Sequence, residues 1–369
     1  MIRLASLIAR FEADLLARFG DRLSADQRRA LSAMRHCRGP ASPMMQVRCS
    51  DCDHQTRVPH SCGHRLCPHC QHHESQQWLE RQTQRLVPAE HFLLTFTLPA
   101  ELRPLARARA DVVLDQLMHC AWSTVRQFAE NDRQLQGTPG AIAVLHTHSR
   151  RLDFHPHVHL VVPAAVLDAT KQRWRRKRGG KNGVYLFNAK ALAKVFRAKM
   201  LAALTSAGLS LPAACPQQWV AHCKSVGGGA KALVYLGRYL YRGVIRERDI
   251  LACEDGQVTF RYRDADSGRW AQRTLAGADF LWLILQHVLP RGFRRARNHG
   301  FLHANCKRLI ALLQWLLKFD PGCFAPPRKE RPSLRCTCCG AAMVIVATRL
   351  RPGGGSFPAA SPPTATQGL

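Results

Sequence analysis

The sequence predicts an α+β protein with a distinct cysteine-rich module near its N-terminus, and three observations support this prediction. Residues 37–73 contain six cysteines and six histidines but almost no aliphatic residues. A bound metal, rather than hydrophobic burial, is therefore expected to organise them. Runs of strand-like residues follow at 91–98, 141–148 and 155–162. Residues 101–130 instead have the apolar spacing of a long helix.

The other elements are predicted from the same two periodicities. Residues 2–36 have helical spacing, and Ser24 is expected to cap the second of two helices there. The polar turn at 149–153 separates two strand-like runs and predicts an antiparallel hairpin. The Pro- and Gly-rich tail from residue 352 is expected to be disordered. Further helices are predicted at 189–206, 230–241, 275–289 and 303–318, and further strands at 219–223 and 257–263.

The charge of the chain restricts its partners. Its 54 Lys and Arg residues exceed its 25 Asp and Glu residues and give a formal net charge of +29. Such an excess favours nucleic acid as the first candidate partner and an anionic membrane surface as the second. A hydrophobic fraction of 46% excludes wholesale disorder. No apolar run approaches the roughly 18 residues that span a bilayer, and the N-terminus lacks a signal-peptide core. We therefore expect a cytoplasmic protein with reduced cysteines that serve as metal ligands or buried apolar residues.

Two CxxC knuckles indicate a structural zinc site. Cys49 and Cys52 form one knuckle, and Cys67 and Cys70 form the other. Tetrahedral zinc needs four soft ligands, and two tight CxxC turns supply them with little strain. A third knuckle at 336–339 lacks a second clear pair and is a weak signal of a further metal site. The remaining candidate ligands in the N-terminal module, which would serve a second zinc ion, are Cys37, Cys62, His54, His60 and His64.

The most informative stretch is the histidine-rich strand of the predicted hairpin. Successive side chains of a strand alternate between its faces, so His155, His157 and His159 are expected to share one face. Two imidazoles two residues apart on a rigid strand form a ready site for a divalent cation. The alternative interpretation is that the histidines line a solvated sheet face. On the neighbouring strand, His146 and His148 are either contributors or bystanders.

Three of the five tyrosines lie within seven residues. Tyr235 and Tyr239 are one helical turn apart and share a helix face, whereas Tyr241 projects roughly 160° away from Tyr239. Paired phenols are also common in hydrophobic cores, but the neighbouring Arg238 and Arg242 favour a surface that faces phosphate. A phenol is a weak nucleophile at neutral pH, and a metal that polarises the phosphate is the usual remedy.

A basic segment at 171–178 places one tryptophan among six cations. This composition is typical of a groove that binds single-stranded nucleic acid by stacking and charge. The alternative is a solvated charged loop. The candidate contacts are Arg173, Trp174, Arg175, Arg176, Lys177 and Arg178.

Together these features resemble the transposases of the IS91 family, which are two-tyrosine enzymes of the HUH endonuclease superfamily. The resemblance extends in family order over roughly residues 20–347, and the combination of motifs is specific although no single motif is. The matching pieces are residues 61–71, 96–99, 155–159, 235–239, 292–297 and the terminal CxxC.

The resemblance implies an N-terminal zinc-binding module followed by an HUH-type nuclease domain with a central antiparallel sheet flanked by helices. His157 and His159 match the histidines that hold Mg²⁺ or Mn²⁺, with His155 or another polar residue completing the shell. Tyr235 and Tyr239 match the paired nucleophiles. The implied units are N-terminal helices at 1–36, the zinc-binding module at 37–75, the nuclease domain at 88–320, a CxxC segment at 321–350 and the tail at 351–369.

The activity that the resemblance implies is rolling-circle transposition. Such an enzyme nicks and rejoins single-stranded DNA, at the ends of its own mobile element and in target DNA, through 5′-phosphotyrosine intermediates. In a bacterial cell it is expected at the nucleoid. Two other classes remain open, a non-catalytic zinc-dependent DNA-binding protein and a metal-dependent phosphodiesterase that uses water. A covalent protein–DNA adduct distinguishes the implied activity from both.

Overall fold

A computed structural model of the chain describes residues 2–52, 54–70, 72–168, 173–178, 185–241, 243–324 and 334–351. For residues 72, 73, 238, 239 and 241 it describes the backbone only. The tail that the sequence predicts to be disordered lies outside the described residues. None of the helices in the described ranges combines the length and the apolar character needed to cross a membrane.

Helices and strands alternate irregularly along the described chain. The helices are α1 (Leu4–Phe19), α2 (Ala25–Arg35), α3 (His72–Thr83), α4 (Arg103–Ala108), α5 (Ala110–Asn131), α6 (Ala189–Ser206), α7 (Ala230–Tyr241), α8 (Gly277–Leu285) and α9 (Lys307–Leu316). The strands are β1 (Met44–Cys49), β2 (Gln55–Pro59), β3 (His91–Thr97), β4 (Thr138–His148), β5 (Phe154–Pro163), β6 (Ala165–Asp168), β7 (Arg173–Arg176), β8 (Ala221–Ser225), β9 (Ile250–Glu254), β10 (Gln257–Arg263), β11 (Trp270–Ala276), β12 (Ala296–Gly300) and β13 (Met343–Leu350).

The main sheet has seven strands, and the predicted hairpin lies at its centre. Its strand order is β7-β6-β4-β5-β3-β8, and β12 also pairs with β4. All of these pairings are antiparallel. A backbone hydrogen bond of 3.0 Å from Ser149 N–H to Asp153 O closes the turn between β4 and β5. The predicted α+β class with a central antiparallel sheet is therefore confirmed.

Helices cover both faces of the main sheet, which explains why its central strands are apolar on both sides. The face formed by Val158 and Leu160 packs against α5 and α6. The opposite face, which includes Val144 and Val161, packs against α3, α7 and α9. Because side chains alternate along β5, the histidines at odd-numbered positions lie on the face that α7 covers.

The N-terminal helices pack against a distant part of the chain. Helices α1 and α2 share a buried cluster with α8 and the small antiparallel sheet β11-β10-β9. Ser24 caps α2 as predicted, because its hydroxyl accepts from Gln27 N–H while the Gln27 side chain accepts from Ser24 N–H. Residues 2–36 are thereby joined to residues near 250–285 by a common hydrophobic core.

The local structure differs from the sequence prediction in three respects. The helix predicted at 101–130 is divided into α4 and α5 by Arg109, whose φ of −129° and ψ of 55° are not helical. Several strands were not predicted, among them β12 at the main sheet and β13, which pairs with β1 in the sheet β13-β1-β2. The basic segment predicted as a loop contains the edge strand β7 instead. β12 and β13 each pair with a strand that is far away in the sequence.

Candidate functional site

Three histidines from two neighbouring strands form a compact cluster. His157 and His159 lie on β5, and the antiparallel register places His146 of β4 directly opposite His157. One ring nitrogen of each histidine lies within 4.8 Å of the corresponding nitrogen of the other two. We refer to His146, His157 and His159 as the histidine triad.

The third histidine of the cluster is not the one predicted. His155 has its Nδ1 2.7 Å from the guanidinium of Arg103, from which it accepts a hydrogen bond. It is not part of the triad, and His146 takes its place. The register between β4 and β5 decides this, since it brings His146 over His157 from the next strand, whereas His155 lies at the end of β5 near α4. The predicted role of His155 is therefore corrected.

Hydrogen bonds and burial keep His157 and His159 neutral, with ring nitrogens that could bind a metal ion. His157 Nδ1–H donates to the carbonyl of His155 at 2.7 Å, which leaves Nε2 with its lone pair. His159 Nδ1 is hydrogen-bonded to Thr95 Oγ1 at 2.8 Å, and its buried Nε2 has no hydrogen-bond partner among the described residues. Burial lowers the pKa of His157 to about 4 and that of His159 to about 3. Both rings are consequently neutral at pH 7, as a metal ligand must be.

Tyr235 lies beside the triad. Its ring centroid is 6.0 Å from that of His159 and 6.4 Å from that of His146. The residue is 40% exposed, so its phenol is accessible from solvent. Helix α7 continues through Tyr239 as the sequence predicts, but the side chains of Tyr239 and Arg238 lie outside the described structure, as does Arg242 entirely.

Two contacts fix the position of α7 over the sheet. Ser75 of α3 donates from Oγ to the carbonyl of Gly237 at 3.2 Å, and the Trp78 ring lies close to the same glycine, 3.4 Å from the place of a Cβ atom. At the end of the helix, buried Arg295 donates to the carbonyls of Leu240 and Leu145, both at 3.3 Å. Arg295 thus joins the tyrosine helix to the strand that carries His146. The sequence shows residues 292–297 only as a motif and does not predict that Arg295 joins α7 to β4.

The eight cysteines of the CxxC motifs and their surroundings form two groups rather than one. The sequence predicted one site built from Cys49, Cys52, Cys67 and Cys70. The structure places the first two of these cysteines in one group and the last two in the other, so the predicted grouping is wrong. The pairing of β1 with β13 brings the terminal knuckle to the first one. The inner cysteine group is Cys37, Cys62, Cys67 and Cys70, and the outer cysteine group is Cys49, Cys52, Cys336 and Cys339.

Both cysteine groups have the dimensions of a tetrahedral zinc site. A Zn–S bond of about 2.3 Å requires sulfur atoms about 3.8 Å apart. In the inner group, Sγ of Cys70 lies 3.7 Å from Sγ of both Cys37 and Cys62. In the outer group, Sγ of Cys52 lies 3.6 Å from that of Cys336 and 3.5 Å from that of Cys339. The eight thiols are free of disulfides, so both groups fit a zinc ion.

The basic segment at 173–178 does not form the predicted open stacking groove. The ring of Trp174 packs edge-on against Phe301 with centroids 5.5 Å apart, so it is not free to stack on a base. Lys177 is ion-paired with Asp132, and Arg175 with Asp168 at 3.6 Å. The prediction of a Trp174 stacking platform is therefore corrected, because β7 turns this side chain towards the body of the sheet. The exposed members of the segment are Arg173, Arg176 and Arg178.

Two protein families match this chain. The family described as "Transposase zinc-binding domain" matches residues 7–98, which contain six of the eight grouped cysteines. The family described as "Putative transposase" matches residues 140–309, which contain the histidine triad and Tyr235. The N-terminal part of the chain is thus a zinc-binding module, as predicted.

Full-length relatives agree with these matches. The protein named "Putative transposase y4qJ" of Sinorhizobium fredii is 31% identical over 81% of this chain and 84% of its own length. The "Transposase for insertion sequence element IS801" of Pseudomonas savastanoi is 32% identical over 80% of this chain and 77% of its own length. A structure of TrwC complexed with a 27-mer DNA aligns with 62% of this chain and 74% of its own length, at 13% identity and a TM-score of 0.26. From its identity with these two transposases and its matches to both families, the chain belongs to the IS91 family of transposases.

Proposed function

We propose that this transposase cuts and rejoins single-stranded DNA by rolling-circle chemistry, with Tyr235 and Tyr239 as its nucleophiles. The observation that carries the proposal is the position of Tyr235, whose ring lies 6.0 Å from that of His159 on the face of the sheet that holds the triad. A phenol at this place can reach a phosphate that the triad region binds. Tyr239, one turn further along α7, is proposed to act on a second strand.

The histidine triad is proposed to hold the divalent cation that the reaction requires. The residues fit this role because they offer three neutral imidazoles, of which the buried Nε2 of His159 has no other partner in the described structure. When bound, Mg²⁺ or Mn²⁺ supplies charge stabilisation at a phosphate oxygen and makes the phosphorus more electrophilic. Zinc in the two cysteine groups is proposed to have a structural role only.

The first chemical step exchanges one phosphoester bond for another. The Tyr235 oxygen bonds to phosphorus and its proton passes to water, which reaches the half-exposed phenol. The 3′-oxygen of the upstream strand leaves and takes up a proton, so the products are a 5′-phosphotyrosine and a free 3′-hydroxyl. Attack by that hydroxyl, or by one on another strand, releases the tyrosine. Because every bond broken is replaced by an equivalent bond, the reaction needs no ATP.

The proposal is tested with single strands that carry the ends of the encoding element, labelled at either terminus. The 3′-labelled fragment should remain attached to the protein, and the 5′-labelled fragment should be released with a free 3′-hydroxyl. The His157→Ala, His159→Ala double variant should lose cleavage and keep strand binding. The matched control is His155→Ala, which lies outside the triad and should still cut. Release of both fragments without an adduct would indicate hydrolysis by water, and binding without cleavage would indicate a non-catalytic protein.

A further inference from the structure

A cleft of about 750 Å³ lies beside the inner cysteine group. Three parts of the chain that are distant in sequence form its walls: α2, the loop between Cys62 and Cys67, and the segment 287–295. Its volume lies within the range of about 300–1,000 Å³ that is usual for ligand sites. Local sequence patterns do not predict this cleft, because its charged residues come from three separate segments.

Arginines from all three walls line this cleft. They are Arg29 of α2, Arg65 of the cysteine loop, and Arg291 and Arg295 of the third segment. Among the described lining residues Asp26 is the one carboxylate, and it pairs with Arg29. Arg65 uses one N–H group on the carbonyl of Phe293 at 2.8 Å, which leaves further donors of its guanidinium for a ligand. The cleft is thus strongly cationic and rich in donors suited to phosphate.

The lining residue Arg295 links the cleft to the elements of the candidate active site. Arg295 contacts the carbonyl of Leu145, next to His146, and the carbonyl of Leu240 at the end of the tyrosine helix. His287, another lining residue, packs against His148 with ring centroids 5.5 Å apart. A molecule that contacts Arg295 in the cleft is therefore separated by one side chain from the two elements that carry His146 and Tyr235.

From this arrangement we propose that the arginine cleft binds the sugar-phosphate backbone of the single strand, adjacent to the phosphate that is cut. This inference rests on the proposed function, because it assigns the cleft to the same DNA substrate. The guanidinium-rich walls match a chain of phosphates, and the formal net charge of +29 favours a polyanion as the partner. The cleft thereby takes the place of the predicted groove at 173–178, whose tryptophan is packed against Phe301.

The first test measures strand binding by the full chain with its zinc. A fluorescent oligothymidine of 20 nucleotides is titrated with the Tyr235→Phe protein at several salt concentrations. The covalent step at residue 235 is blocked in this variant. Arg65→Ala combined with Arg291→Ala should weaken binding at least roughly tenfold and reduce the slope of log K against log salt by about 1.4, since each contact with a single-strand phosphate contributes about 0.7. Binding within twofold of the parent would overturn the proposal.

The matched control removes the same charge from the opposite face of the sheet. Arg126 and Arg133 are exposed at the end of α5, and replacing both by alanine should leave the affinity nearly unchanged. An equal loss in this control would show that net charge alone matters, against the proposal. Arg65→Lys combined with Arg291→Lys keeps both charges and should retain most of the binding. If the lysine pair binds as weakly as the alanine pair while zinc content is normal, the proposal also fails.

The second test locates the strand directly. Oligothymidine that contains 4-thiothymidine is crosslinked by light to the same protein, and the linked peptides are mapped. Crosslinks within 63–66 or 288–292 are expected, whereas crosslinks confined to 173–178 would contradict the proposal. Competition by polyglutamate as effective as that by unlabelled oligothymidine would favour an acidic protein partner and overturn it as well. Since no covalent step is needed, binding in the cleft and failure of the proposed tyrosine chemistry remain separate outcomes.

Discussion

Each of the two cysteine groups consists of four cysteines, but the surroundings of the two groups are very different. In the inner group Cys67 and Cys70 are buried, and α3 begins two residues after Cys70 and packs along α7. In the outer group Cys52 and Cys339 are exposed, on a three-stranded sheet whose β13 carries several exposed apolar residues. The two groups therefore lie in different settings: the inner group precedes a helix that packs along α7, and the outer group joins β1 to the segment that carries β13.

The loop of the inner group is in direct contact with the segment that follows α7. A Cβ atom on Gly243 would lie 2.2 Å from the carbonyl oxygen of Leu66, so the backbone after α7 touches the loop between Cys62 and Cys67. His69 Nε2 lies 2.8 Å from a carboxylate oxygen of Glu247 in the same region. Loss of the inner metal is therefore expected to displace Tyr235, whereas loss of the outer metal is not.

The largest effect is expected from Cys67→Ser, which removes one ligand of the inner group. The protein should lose one of two zinc ions, and its rate of adduct formation should fall by about 100-fold, because displacement of a reacting group by about 1 Å can cost that much. Elemental analysis and a denaturing gel of protein–DNA adducts measure the two quantities. Normal adduct formation with only one zinc bound would show that the inner group does not position α7.

The companion change in the outer group is Cys336→Ser. It should also remove one zinc ion and should expose residues 334–351 to protease, since β13 loses its metal link to β1. Adduct formation should stay within about threefold of the wild type, because distant sites act nearly independently. An equally large loss in both cysteine variants would abolish the distinction between the two groups.

A smaller effect is expected when the loop between Cys62 and Cys67 is forced away from the segment after α7 while all four cysteines of the inner group are kept. Gly243→Ala introduces a methyl group into a contact that costs about 1–3 kcal/mol to relieve. We expect roughly tenfold slower adduct formation with two zinc ions retained. Gly20→Ala is the control, because a Cβ there has no neighbour within 4 Å. If adduct formation were as fast as in this control, the contact between Gly243 and Leu66 would not be needed to position Tyr235.

The smallest effect is expected from single hydrogen bonds on the two sides. Ser75→Ala removes the bond to Gly237 O, worth about 1 kcal/mol, and should slow adduct formation at most about fivefold. Ser50→Ala removes a comparable bond to Ala342 O at 3.1 Å beside the outer group and should leave the rate unchanged. The rates of adduct formation are compared at saturating DNA, so that differences in DNA affinity do not contribute to them. If Ser50→Ala slowed adduct formation and Ser75→Ala did not, the outer group, and not the inner group, would be the one that positions α7.

The sequence predicted those parts of the fold and site that depend on local periodicity. Alternation along β5 placed His157 and His159 on one face, and the spacing of Tyr235 and Tyr239 predicted one helix, which α7 confirms. Both predictions need only the geometry of a single element. The capping box at Ser24 belongs to the same class, since its two partners are three residues apart.

The remaining features depend on pairing between distant segments, which local patterns do not encode. His146 became the third member of the triad through the register of two strands, which shifts between His146 and His148. The outer cysteine group depends on the pairing of β1 with β13, which are separated by most of the chain. Trp174 was interpreted as an exposed platform because its packing partner, Phe301, lies more than a hundred residues away. A one-residue slip in a strand register would change each of these outcomes.

The central claim is that α7 and the histidine triad form one catalytic centre, and mass spectrometry of the covalent product tests it most directly. The full chain is incubated with a cleavable single strand and Mn²⁺, digested with nuclease and protease, and the modified peptide is sequenced. The account predicts a nucleotide attached through its 5′-phosphate to Tyr235 or Tyr239. A modification at Tyr185, Tyr241 or Tyr262, or an adduct that persists when Tyr235 and Tyr239 are both replaced by phenylalanine, would contradict it.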